Sequence, residues 1–174
     1  LSYSIIRMGR MATHQSKTSI GKFTWRKSIL SDVVTVAANM RQEDKEEVLA
    51  YSGSSPQEAL FYCFFNSQPC MTMIGRKGNL MGMYGVVPCS AKVGRIWMLG
   101  HKTMTDDYKD IRDFLRYSPI ELQKFHCNYP LLYNYVDERN TTHIKWIKWM
   151  GFSIIKKHAT FGAAGLPFYE FVKN

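Results

Sequence analysis

Hydrophobic and polar positions change period repeatedly along this chain, most clearly over residues 131–152, LLYNYVDERNTTHIKWIKWMGF. Residues 131–136 are an apolar and aromatic run with the side chains of a strand buried on both faces. Asp137, Glu138 and Arg139 then carry charge to the surface, and Asn140 offers a short acceptor side chain that can cap a following helix. His143, Ile144, Ile147 and Met150 recur at helical spacing while Lys145 and Lys148 fall elsewhere, which predicts an amphipathic helix. Gly151 supplies a left-handed stop, and Phe152 begins the next element.

The same reading places the other elements. Residues 19–29 alternate well enough for a first strand near a sheet edge. Ser31 is the expected cap of a helix with Val33, Val34, Val36, Ala37 and Met40 as its stripe. A polar helix over 42–51 carries Glu43, Asp44, Glu46 and Glu47 and ends at Gly53. Pro56, near a first helical position, makes 56–66 a third helix despite its strand-like rings. Residues 69–74, 80–87 and 93–99 read as three strands of an antiparallel meander, the first two joined by the turn GRKGN. Thr105 caps a long helix with Asp106 and Asp107 in its first turn and Ile111, Phe114 and Leu115 on one face, ended or kinked at Pro119. After the strand and helix of 131–151, strands over 152–157 and 167–172 close the chain through the small-residue loop GAAG. The predicted order is β, α, α, α, β, β, β, α, β, α, β, β.

Composition narrows the picture. The 174 residues are most economically one folded unit over 19–174, preceded by a basic arm over 1–18. A hydrophobic content of 45% with 14% aromatics excludes a wholly disordered chain. Four cysteines form no CxxC pair and the histidines are scattered, so no zinc site is expected; the thiols read as buried and reduced. The longest apolar run, residues 59–65, is far too short to span a membrane. A net charge of +9 favours an acidic partner. Six basic residues and no acidic one precede Asp32, so the arm is either a solubilising tail or a DNA contact. The chain begins with Leu1, with Met8 and Met11 downstream, so residues 1–10 are read as outside the fold: a translated upstream stretch, the product of an alternative start codon, or the scar of a cut.

The element order resembles the superfamily of Gcn5-related N-acetyltransferases, an α/β (α+β) fold in which helices flank a central, mostly antiparallel, twisted sheet. Asn140 and the Gly151-Phe152 pair carry that resemblance. The chain is more closely similar to a small family of acetyltransferase-like internal virion proteins of short-tailed bacteriophages. Its marks are WML at 97–99 and YV…NTTHIKW…G across 135–151, and the similarity covers about residues 23–171. This implies other virion or core proteins as partners, and a place in the virion interior or the host cytoplasm.

The chemistry implied by the superfamily is incomplete in this sequence. Its glycine-rich loop, whose main-chain N–H groups hold the diphosphate of coenzyme A, falls here on GHKTMTDD, residues 100–107, with one glycine. Asp106 and Asp107 stand where the phosphate charge would sit. Many members place a tyrosine general acid four residues before the helix-ending glycine; Ile147 stands there and transfers no proton. Residues 93–99 contain no carboxylate to serve as base. His143, one turn before Ile147, reads as either a base or a packing residue. If acetyl-CoA binds, the resemblance assigns Leu99, Gly100, His101, Lys102 and Asn140 to it. The expectation is a degenerate acyl-CoA site without cofactor, in a non-catalytic virion or morphogenesis component. The alternatives are an active N-acetyltransferase and a DNA-contacting virion protein. Trp146 and Trp149 widen the apolar arc of the last helix into a candidate contact surface.

Overall fold

A computed structural model describes residues 22–174. The basic arm and the start of the first predicted strand lie outside the described residues. Strand β1 (Thr24–Lys27) is followed by helices α1 (Leu30–Ala38), α2 (Gln42–Ser52) and α3 (Pro56–Asn66). Next come β2 (Cys70–Ile74), β3 (Leu80–Pro88), β4 (Val93–Gly100) and α4 (Tyr108–Asn128). The chain ends with β5 (Leu131–Asp137), α5 (Thr141–Trp149), β6 (Ser153–Phe161) and β7 (Leu166–Lys173). The predicted order of elements is the observed one.

All seven strands form one sheet in the order β1-β2-β3-β4-β5-β7-β6. Every neighbouring pair is antiparallel except β4 and β5. Helices α1 and α3 cover one face, where Val33, Val36 and Leu60 pack on Met83, Val87 and Trp97. On the other face Leu122 and Phe125 of α4 and Ile147 of α5 pack on Val86, Leu132 and Val136. Side chains alternate between the faces along each strand, so Trp97 and Leu99 of β4 meet the first core, Ile96 meets the second, and Met98 packs on a third cluster with Met73, Met81 and Phe114.

Helix boundaries follow their capping chemistry. Ser31 lies inside α1 and is not its cap: Ile29 holds that position, and the Asp32 carboxylate accepts from the Ile29 N–H at 2.9 Å. Asp32 is drawn inward because it also accepts a two-pronged contact from Arg26, at 2.7 and 2.9 Å, and one from the Thr72 hydroxyl at 2.8 Å. Burial opposes its ionisation, but these donors outweigh it and hold the carboxyl below its ordinary value. Ser55 caps α3 reciprocally with Glu58, which is why an aromatic-rich segment is helical. Gly53 and Gly151, at φ of 73° and 83°, take the left-handed positions after α2 and α5.

The long helix departs from expectation at three points. Its cap is Asp107, which accepts from the Lys109 N–H at 2.9 Å, and Thr105 lies in the preceding turn. Pro119 does not end it: buried Phe114, Leu122 and Phe125 lie on both sides of the proline and pull both halves onto the sheet. The Ser118 hydroxyl bonds back to the Phe114 carbonyl at 2.5 Å, within the turn that the proline disturbs. Leu115 is exposed, and Asp110 and Asp113 point inward instead. Asp110 accepts from the Arg76 N–H at 2.9 Å, tying the β2–β3 turn to α4.

Candidate functional site

The parallel register of β4 and β5 is short. Val93, Gly94 and Arg95 face Leu131, Leu132 and Tyr133, and no pairing extends beyond. On their outer sides β4 stays paired with β3 as far as Gly100, and β5 with β7 as far as Asp137. The two strands therefore part like a fork and leave two inner edges of main chain without a strand partner. Asn134 sits at the crotch, where its Nδ2 donates to the Ile96 carbonyl at 2.6 Å and its Oδ1 accepts from the Tyr135 N–H at 2.8 Å. One amide side chain thus satisfies a main-chain group on each prong.

A cavity of about 420 Å³ fills the fork and reaches both faces of the sheet. Ile96, Met98, Leu99 and Tyr135 form its strand walls, with α2 and α3 on one side and α4 and α5 on the other. Most of its surface is apolar, and its polar groups are few and placed.

Glu47 and His143 are two of them. Glu47 of α2 accepts from Asn140 Nδ2 at 2.9 Å. Burial, with Asp44 and Asp137 nearby, pushes its carboxyl up to about 8, although hydrogen bonds from Asn140 and the Asp137 main chain pull the other way. His143 of α5 is lowered to about 4 by burial and by Arg41, so its imidazole is neutral at pH 7. On the opposite side the Tyr84 hydroxyl donates to Glu121 of α4 at 3.1 Å. Burial and the Glu121 charge hold that phenol well above its usual value. Trp146 lies over Phe114 with ring centroids 5.5 Å apart, and its Nε1 is buried without a hydrogen-bond partner among the described residues. The apolar arc predicted for α5 therefore divides: Trp146 and Ile147 face the interior, and Trp149, 56% exposed, remains outside.

The predicted cofactor residues are split. Leu99 lines the cavity; Gly100, His101, Lys102 and Asn140 do not. Asn140 is buried, caps α5 by accepting from the His143 N–H at 3.3 Å, and holds Glu47. Residues 100–104 spend their main-chain donors on the protein itself. The Gly100 N–H goes to the Asp44 carboxylate at 2.7 Å, that of His101 to the Met81 carbonyl at 2.8 Å, and that of Lys102 to the Asn39 carbonyl at 2.7 Å. The Thr103 N–H goes to His101 Nδ1 at 3.2 Å, and the Met104 N–H to the His101 carbonyl at 2.9 Å. Gly100 is a glycine for the same reason: a Cβ there would lie 2.7 Å from Arg41 Cδ and 3.2 Å from Asp44 Oδ2. Asp107 closes the arrangement by capping α4 with negative charge. A diphosphate needs free N–H groups and a positive helix end. These residues do not fit it.

Sequence reasoning missed Glu47, Asp44, Arg95 and Asn134. The two carboxylates were legible only as an excess of acid on one helix of a basic chain. Among the described residues there is no His, Cys, Asp and Glu cluster able to hold a metal ion, and no helix long and apolar enough to cross a membrane. The four cysteines are free; Cys89 and Cys127 are exposed, contrary to the expectation of buried thiols.

Neither a protein-family model nor a curated relative matches the sequence. Solved structures do. An acetyltransferase of the GNAT family from Streptococcus pneumoniae is 14% identical, with a TM-score of 0.57 over 87% of this chain and 99% of its own. Spermidine N-acetyltransferase from Vibrio cholerae, in complex with CoA and spermine, is 14% identical at a TM-score of 0.60 over 87% and 94%. A putative acetyltransferase from Salmonella typhimurium, with its cofactor acetyl-CoA, is 12% identical at 0.61 over 87% and 93%. At such identities the likeness is one of architecture, and with the forked sheet it gives the conclusion that this chain has the GNAT acetyltransferase fold.

Proposed function

We propose that this chain is an acetyltransferase-like protein whose coenzyme A diphosphate site has been built over, and that it works as a non-catalytic component of a phage particle or of its assembly. The observation that carries the first half is the engagement of the Gly100, His101, Lys102, Thr103 and Met104 N–H groups within the protein. The second half rests on the sequence text at 97–99 and 135–151. Thermal unfolding with millimolar acetyl-CoA tests the former. A ligand at a hundredfold its Kd stabilises by about 2.7 kcal/mol, and no such rise is expected. Mass spectrometry of purified particles and assembly intermediates tests the latter, and absence of the protein from both contradicts it.

A second reading is favoured by Glu47, a carboxyl in the cavity pushed up to about 8, which once ionised can accept the proton of an amine. On this reading the chain acetylates amines, and acetyl-CoA is anchored other than through the residue 100–104 main chain. Incubation with acetyl-CoA and spermidine, followed by product mass, decides it: acetylated product that disappears in Glu47→Gln supports catalysis. Contact of the basic arm with DNA is a separate proposal, and an affinity that does not change with salt ends it.

A further inference from the structure

The cavity has a cationic end that neither reading uses. Arg95 of β4 projects toward α2 and α3, where its guanidinium donates to the Tyr51 hydroxyl at 3.4 Å and the Tyr62 hydroxyl at 3.3 Å. Both contacts are longer than ordinary hydrogen bonds of this type. The group also lies 5.8 Å from the Tyr62 ring centroid. Among the described residues it makes no ion pair, and nothing else accepts a hydrogen bond from it. The neighbours that could carry negative charge do not: burial pushes the Cys63 thiol up to about 12, and Tyr133 and Tyr135 are raised as well. A partly buried cation without a counter-ion is unfavourable unless something else compensates it.

We propose that Arg95, with the Tyr51 and Tyr62 hydroxyls, forms an oxyanion subsite for the carboxylate or phosphate group of a small ligand whose apolar body occupies the fork. The planar guanidinium offers paired donors matched to such a group. Each tyrosine accepts from Arg95 and keeps its own O–H free to donate to a ligand. Tyr62 is 51% exposed, so the subsite opens to solvent at the α3 edge, and the apolar remainder of the cavity suits a hydrocarbon or aromatic body. The subsite is independent of whether acyl-CoA binds.

The test uses the full chain without acyl-CoA and three probes measured by isothermal titration: 4-phenylbutyrate, its neutral amide, and phenyl phosphate. Binding of either anion at millimolar concentration, with the amide at least about tenfold weaker, is expected. Preference between the two anions assigns the group as carboxylate or phosphate. Arg95→Met should abolish the discrimination between acid and amide, and Tyr62→Phe should weaken the anion alone. Equal binding of acid and amide, no binding of any anion by about 10 mM, or unchanged anion binding in Arg95→Met overturns the proposal.

Discussion

Replacing Glu47 by Gln isolates the half-buried carboxyl of the fork. The new side-chain amide would retain an oxygen to accept from Asn140, which lies 2.9 Å from Glu47 Oε2, and would mimic the protonated carboxyl, with a donor in place of one of its two oxygens. Glu47 titrates at about 8 in the folded protein against an ordinary 4.5, chiefly because burial penalises the charged form. A raised acid value means that the folded state holds the proton more tightly than the unfolded one. The contribution to stability is then complete below pH 4.5 and is lost progressively as the pH rises to about 8. At 1.36 kcal/mol per pH unit, and with allowance for relaxation around the charge, about 2–4 kcal/mol is lost across that window. His143 acts in the opposite direction: its lowered value removes stability as the pH falls from 6.5 to about 4. The difference between parent and Glu47→Gln largely cancels that contribution. Urea unfolding between pH 4 and pH 9 should show the two proteins equal at the acid end and the variant more stable by about 2–4 kcal/mol at the alkaline end. Parallel profiles would refute the assignment of a proton-holding Glu47.

Two further substitutions probe how the fork is framed. Asp44→Ala removes the acceptor of the Gly100 N–H and should cost about 2 kcal/mol in urea unfolding, because a buried donor is left without a partner. Pro119→Ala restores an N–H in the interior of α4 and should stabilise by about 2 kcal/mol after allowance for the freer unfolded chain; a loss would show that the helix needs its proline.

Local chemistry made most elements legible. Ser55, Pro56 and Glu58 determine α3 despite its rings, and the glycine stops at 53 and 151 end their helices as read. The errors fall where distant contacts override local signals. Ser31 is a sound capping residue, but Asp32 is bound from another strand by Arg26 and Thr72, and this moves the start of α1. Pro119 is a helix breaker by propensity, yet apolar residues on both sides of it pack on the same sheet. The site was hidden for the same reason. A polar helix shows no apolar stripe to reveal that Glu47 and Asp44 point inward, and the parting of β4 from β5 is a register between strands separated by a whole helix. Asn134, the one amide in the run of 131–136, carried no signal of its own and is the residue that closes the crotch of the fork. The missing second glycine after β4 and Ile147 at the tyrosine position were readable directly.

Amide hydrogen exchange at residues 100–104 tests the occupied donors most directly. If the Asp44 carboxylate and the neighbouring carbonyls hold these N–H groups, all five exchange slowly, and millimolar acetyl-CoA changes neither their rates nor their chemical shifts. Exchange at the rate of a free loop, or protection and shift changes at these amides on adding acetyl-CoA, would mean that the diphosphate site is open.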